Sequence, residues 1–213
     1  MNLKINEIYY SIQGESSYSG IPCIFIRLTY CNLRCSYCDT EYAFYDGKEM
    51  TIKQIINEVD KYNCDLVEVT GGEPLLQKNC IKLIEELEIK NKKVLIETGG
   101  ALSIKEISKK THIILDIKCP SSNMSHKNLL DNFNYIKKTD EIKFVIGDKK
   151  DYLWTKDIIE NHKLNEKCSI LISPVHKKIK EEKLVKWILK DNLNVRFQIQ
   201  LHKQIWDEDT KGV

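Results

Sequence analysis

Beyond residue 50 the chain alternates between short apolar runs bounded by polar turns and stretches whose apolar residues recur every three or four positions. The runs at residues 66–70, 93–98, 112–117, 142–146, 169–172 and 195–201 are rich in Val, Ile and Leu and read as strands. Thr51-x-x-Gln54 is a capping-box signature, and Ile52, Ile55, Ile56 and Val59 then fall on one helical face. A second helix is expected from about residue 74 to 87, and Ser103-x-x-Glu106 reads as the cap of a short one. Leu129, Leu130, Phe133 and Ile136 make a further helical stripe, and two more strands, residues 5–12 and 23–28, precede the whole series. Such alternation implies βαβ units and a parallel sheet, and cores such as Val94-Leu95-Ile96 suit strands covered on both faces. A closed barrel of eight units needs more than 213 residues. The expectation is an α/β fold: a partial (open, trimmed) parallel α/β barrel, one domain over residues 1–213.

The polar punctuation falls at the carboxyl ends of strands, the edge where α/β barrels and open sheets build their sites. Cys31, Cys35 and Cys38 follow the run at 23–28, and Thr70-Gly71-Gly72-Glu73-Pro74 follows the next. Glu97-Thr98-Gly99-Gly100, Asp116-Ile117-Lys118, Ser173-Pro174 and Gln200-Leu201-His202-Lys203 end later strands. The cysteines are spaced C-x3-C-x2-C, and the next one is Cys64. A four-iron cluster normally takes four thiolates, so three in one short loop leave one iron open to a small molecule. A zinc knuckle on Cys35-x-x-Cys38 is the plainer alternative. Closed zinc sites want four ligands, usually as two pairs, and no second C-x-x-C or H-x3-H pair is present. Gly71 and Gly72 permit close backbone approach to a ligand and leave amides free near a helix start.

The cysteine spacing, with aromatic Tyr37 before the last cysteine, resembles the cluster loop of the radical S-adenosylmethionine (SAM) superfamily. The resemblance implies a 4Fe-4S cluster on Cys31, Cys35 and Cys38 whose open iron chelates SAM, and a deoxyadenosyl radical formed by one-electron cleavage. It further implies that Tyr37, Cys38, Asp39, Gly72, Glu73, Asp116, Ile117, Lys118 and Ser173 surround SAM, with Gly-Gly-Glu at its amino group. Ser11-Ile12-Gln13-Gly14-Glu15, Phe25-Ile26-Arg27, Cys38-Asp39-Thr40, Gln200-Leu201-His202-Lys203-x-Ile205-Trp206 and Lys211-Gly212-Val213 resemble one family within it, the 7-carboxy-7-deazaguanine synthases. That implies a SAM- and Mg2+-dependent lyase converting 6-carboxy-5,6,7,8-tetrahydropterin to 7-carboxy-7-deazaguanine with loss of ammonia, feeding 7-deazaguanine nucleosides such as queuosine in tRNA. It also implies substrate contacts from Ile12, Gln13, Gly14, Glu15, Arg27, Thr70 and the terminal carboxylate at Val213, and a magnesium ligand in Thr40. The residue types suit such a ligand. Gln13, the Gly14 backbone and Glu15 can read a pterin's amide-like edge, and Arg27 can hold its carboxylate as a bidentate pair. One departure stands out: where the family continues Gln-Gly-Glu-Gly, this chain has Ser16-Ser17-Tyr18 before Gly20.

Composition excludes several other classes. With 33 basic and 31 acidic residues the net charge is +2, so nothing marks a nucleic-acid footprint. No apolar run approaches the ~20 residues of a membrane span, and Met1-Asn2-Leu3-Lys4 runs straight into a strand pattern rather than a leader. A core of this size does not need disulfides from its eight cysteines. A cytoplasmic, homodimeric enzyme supplied with electrons by a flavodoxin or ferredoxin is expected. Two other readings remain at this stage: a glycyl-radical activating enzyme acting on a protein, and an iron–sulfur electron-transfer module.

Overall fold

The computed structural model describes residues 1–207 and 210–213. β1 (Asn2–Ile12) pairs antiparallel with β2 (Pro22–Leu28) and with β3 (Lys48–Thr51). From β2 onward every pairing is parallel, through β4 (Leu66–Gly71), β5 (Lys93–Thr98), β6 (His112–Ile117), β7 (Glu141–Ile146), β8 (Ser169–Pro174) and β9 (Arg196–Phe197). The sheet runs β3-β1-β2-β4-β5-β6-β7-β8-β9. Helices α1 (Ile52–Val59), α2 (Cys80–Ile89), α3 (Lys149–Asn161), α4 (Leu164–Lys167), α5 (Glu181–Lys190) and α6 (His202–Ile205) complete the chain. The capping box forms as expected: Gln54 N donates to Thr51 Oγ1 and Thr51 N to Gln54 Oε1. Among the described residues no helix is long and apolar enough to cross a membrane.

Because strand side chains alternate faces, each strand divides its residues between two environments. Ile24, Ile26, Val67, Val69, Val94, Ile96, Ile113, Leu115, Ile142 and Phe144 face the helices and form the main core with Ile55, Leu83, Leu87, Tyr152 and Leu184. The intervening residues face the concave side. Cys23, Phe25, Leu66 and Leu95 make a small apolar floor there, and Arg27, Glu68, Thr70, Glu97, Asp116 and Lys143 line a cavity above it. Polar residues share the concave side with that floor because a curled sheet has room inside for polar side chains, whereas its helix-covered outside does not.

The loop after β1 shows how far the sheet curls. Ser17 N donates to Glu141 of β7, Ser16 N to Gln198 just beyond β9, and Leu201 N to the Gly14 carbonyl. Residues next to the second strand of the sheet thus meet its far end, which makes an open barrel with this loop across its gap. The Ser16-Ser17-Tyr18 departure lies in that gap, Tyr18 standing edge-on to His112. Three local expectations change. Ser103 accepts from Lys105 N in a turn and caps no helix. The stripe at 129–136 forms a 3-10 turn (Leu130–Asn134), and the helix after Pro74 is split into a 3-10 turn (Pro74–Leu76) and α2. The final strand shrinks to Arg196–Phe197, and the chain reaches Leu201 as irregular backbone.

Candidate active site

The cysteine loop leaves β2 through Tyr30, whose φ of 79° is the left-handed conformation that reverses the chain there. Tyr30 N donates to the Ala43 carbonyl, and Glu73 N to the Tyr30 carbonyl at 2.7 Å. A Cβ on Gly72 would lie 2.4 Å from the Tyr30 carbonyl oxygen and 2.8 Å from Cys31 Cβ, so only glycine admits the loop this close. On its other side the loop is pinned to the segment after β6, Ser36 Oγ donating to the Ser121 carbonyl at 2.6 Å. All eight cysteines are free thiols. Cys31, Cys35 and Cys38 line the cavity with Tyr37 and Lys118 beside them. Burial pushes all three thiols up, Cys35 to about 11, and Lys118 opposes that in each case. Metal binding here therefore displaces protons.

These residues fit a cluster better than a single ion. Among the described residues no three or more His, Cys, Asp or Glu side chains gather as one zinc ion would require. Thiolates on separate corners of a cube do not have to converge on one point. Two further acceptors are buried without a partner, Asp116 Oδ1 and Ser173 Oγ. Asp116 Oδ2 meanwhile accepts from Lys118 Nζ at 2.8 Å. Burial works against the Lys118 charge, but Asp116 and then Cys35 hold its pKa above the ordinary value. Ser173 is 1% exposed on β8, beside cavity-lining Pro174, and the Ile117 side chain is in the core, leaving only its backbone for a ligand. Glu73 also has protein partners of its own. Its carboxylate is fully buried and accepts from Thr98 Oγ1, Gly99 N and Leu75 N, so it clamps the β4 turn to the end of β5.

The same cavity, which has a volume of about 790 Å³, is also lined by Ile12, Gln13, Gly14, Glu15, Arg27, Thr70 and Val213. Arg27 Nε donates to Glu7 at 2.7 Å and one Nη to Tyr9 Oη at 2.8 Å, with Tyr9 and Tyr42 rings at its faces. Its side-on edge is therefore taken, and the end-on edge, shared with Tyr9, is what a carboxylate can approach. Glu15 accepts from Lys143 Nζ at 2.6 Å, and its Oε1 is buried without a partner. Gln13 Nε2 donates to Glu68, and Gln13 Oε1 accepts from Glu15 N. Burial and then the neighbouring Glu97 and Glu15 charges push Glu68 far above the ordinary carboxyl range.

The tail closes the arrangement. Asp39 accepts from Lys203 Nζ at 2.6 Å and from Thr40 Oγ1 at 2.9 Å. Burial disfavours its charge, yet Lys203 holds the carboxyl below the usual range. His202 packs on Gly14, where a Cβ would meet its Nδ1 at 2.2 Å, and Lys211 lies over Tyr42. Sequence reasoning placed Glu97 on the rim but missed Glu68 and Lys143 as cavity residues. The signal was one charged residue inside each apolar run, at the inward phase of the alternation.

A barrel rim that presents three cysteines, a Gly-Gly turn and buried unpartnered acceptors to one cavity is that of a radical SAM enzyme, and residues 25–123 match the model of the Radical SAM superfamily. Full-length relatives narrow this. The chain is 45% identical to the 7-carboxy-7-deazaguanine synthase of Chlorobaculum tepidum, over 99% of this chain and 97% of that protein. It is 42% identical to the enzyme of the same name from Koribacter versatilis, over 99% and 100%. The crystal structure of QueE from Escherichia coli superposes with a TM-score of 0.79 at 21% identity, covering 95% of both chains, which supports the fold. The chain belongs to the 7-carboxy-7-deazaguanine synthase family.

Proposed function

We propose that residues 1–213 act as one unit that converts 6-carboxy-5,6,7,8-tetrahydropterin to 7-carboxy-7-deazaguanine with release of ammonia. The observation that carries this reading is one cavity lined both by three free cysteines and by Arg27, Gln13 and Glu15. Cys31, Cys35 and Cys38 hold the 4Fe-4S cluster, which with SAM supplies the radical that starts the reaction. Tyr37, Asp116, Lys118, Ser173 and the backbone of Cys38, Asp39, Gly72 and Ile117 surround SAM. Asp116 Oδ1 and Ser173 Oγ are acceptors in want of donors, such as the ammonium and hydroxyl groups of a nucleoside that carries an amino acid on a sulfonium. Glu73 serves SAM indirectly, by holding the Gly71-Gly72 turn in place.

Arg27 holds the pterin carboxylate end-on. Gln13, Glu15, Glu97 and the backbone of Ile12 and Gly14 read the ring edge, with Thr70 and Val213 completing the wall. Thr40 contributes one oxygen to magnesium, whose remaining ligands come from substrate and water. The cofactor carries the hard chemistry, and the chain binds, orients and excludes water. A small one-electron donor of the flavodoxin or ferredoxin kind, a cytoplasmic setting and a homodimer complete the reading. Anaerobic turnover of the iron-reconstituted protein with SAM, magnesium and the carboxypterin tests it. The product is expected by ultraviolet absorbance and mass, and SAM cleavage without deazaguanine formation refutes the substrate assignment.

A further inference from the structure

Neither the motifs nor the family resemblance singled out Lys143, yet it occupies the middle of the cavity's polar wall. It lies on β7 in register with Asp116 of β6 and Leu171 of β8, and is 5% exposed. Its Nζ donates to Glu15 Oε2 at 2.6 Å and to Glu97 Oε1 at 2.8 Å. Those carboxylates come from opposite directions: Glu15 from the loop that crosses the barrel's gap, Glu97 from the carboxyl end of β5. A third, Glu68, is tied to the same loop through Gln13, whose Oε1 in turn accepts from Glu15 N. One lysine thus stands among three cavity carboxylates.

The physical consequence concerns which acceptors are ionised and where they point. Buried carboxylates without a cation take up protons or recoil from one another. Burial and Glu97 resist charge on Glu15, and Lys143 is the cation that opposes both. An ammonium has three N–H donors, and two are committed here to carboxylates on facing walls. Lys143 is therefore already neutralised, whereas Arg27 keeps an end-on edge for an anion. Glu15 Oε1, by contrast, is a buried acceptor with no donor.

We propose that Lys143 is a positioning residue for the substrate ring: by bridging Glu15 and Glu97 it fixes two carboxylate acceptors, one from each wall, for the N–H donors of the pterin's amino-pyrimidinone edge. The inference rests on the pterin reading. It assigns Lys143 no contact with the reacting carbon and none with the substrate carboxylate.

The test is direct binding of two ligands, the carboxypterin and the same tetrahydropterin lacking the 6-carboxylate, to reconstituted wild type and to Lys143→Met. Iron content and SAM affinity are measured alongside. Expected is a rise in Kd of about 100-fold for both pterins, the scale of breaking a buried charge pair, with SAM affinity and iron within twofold of wild type. In turnover the effect should fall on KM more than on kcat. If Lys143→Met does not fold, Lys143→Gln carries the same measurement, because its amide retains N–H donors among the carboxylates. Pterin Kd values within threefold of wild type overturn the proposal. So does a loss confined to the carboxylated ligand, which makes Lys143 a direct carboxylate contact, or a parallel loss of SAM affinity, which makes it a packing element. Failure of wild type to bind either pterin refutes the substrate reading instead.

Discussion

Gly72→Ala isolates the demand that the cysteine loop makes on the rest of the fold. Gly72 has an ordinary φ, so the cost is steric rather than conformational. The new Cβ would stand 2.4 Å from the Tyr30 carbonyl oxygen, 2.8 Å from the Tyr30 carbonyl carbon and 2.8 Å from Cys31 Cβ. All three belong to backbone or to a Cβ, so no flexible side chain can swing away. Relief takes about 1 Å of movement by the root of the cysteine loop, and overpacking of this kind costs about 1–3 kcal/mol. For a chain of this length that lowers Tm by about 2–12 °C. The same shift carries Cys31 off its position relative to Cys35, so iron uptake should fall with stability. Gly99→Ala is the control. Its Cβ would meet Leu33 Cδ1 at 3.0 Å and Glu73 Oε2 at 3.3 Å, side-chain atoms that need to give by only a few tenths of an ångström, so both readouts should change less than in Gly72→Ala. Thermal unfolding of the apo protein, and iron and sulfide content after reconstitution, measure the two effects. A Gly72→Ala protein that melts within 1 °C of wild type and loads a full cluster would refute the reasoning.

Cys35→Ala should abolish the cluster and SAM cleavage, while Cys64→Ala and Cys168→Ala keep both. Cys168 is buried as a small apolar residue and the Cys64 thiol donates to the Pro22 and Leu66 carbonyls, so iron analysis of the three variants decides it. Arg27→Lys should behave almost as badly as Arg27→Ala, because a point charge cannot serve Glu7, Tyr9 and an end-on carboxylate together. Kd for the carboxypterin should rise by about 30- to 5000-fold with SAM affinity unchanged (roughly 2–5 kcal/mol), and equal affinities remove Arg27 from the substrate site. Thr40→Val should shift the magnesium titration of turnover to higher concentration, and superimposable titrations return Thr40 to its bond with Asp39. Burial, reinforced by Lys203, lowers the His202 pKa to about 4, below its ordinary 6.5. The neutral ring is therefore the folded form: its contribution is complete above about pH 6.5 and is lost as pH falls through about 4. Melting curves of His202→Gln should show less loss of Tm over that window than wild type, and parallel curves exclude the effect.

Much of this molecule is written locally. The cysteine loop is legible because Cys31, Cys35 and Cys38 lie in one eight-residue stretch, and the Thr51–Gln54 box because both partners lie within one turn. The order of strands and helices, and the placement of polar turns at strand carboxyl ends, follow from periodicity alone. Other features are decided only by the curl of the sheet. Glu68 reads in sequence as a stray charge in Leu66-Val67-Glu68-Val69, and Lys143 likewise in Ile142-Lys143-Phe144. Alternation tells which residues share a face of a strand, but not whether that face looks onto helices, water or a cavity. Glu73 shows the same limit: Thr98 and Gly99, which donate to its carboxylate, are 25 and 26 residues away and meet it only because β4 and β5 are neighbours. Lys143 and Glu15 are 128 positions apart, and Lys203 and Asp39 are 164. No local propensity encodes such distances. They arise when apolar burial on the outside bends the sheet until its two ends, and the charges on its inner face, are brought together.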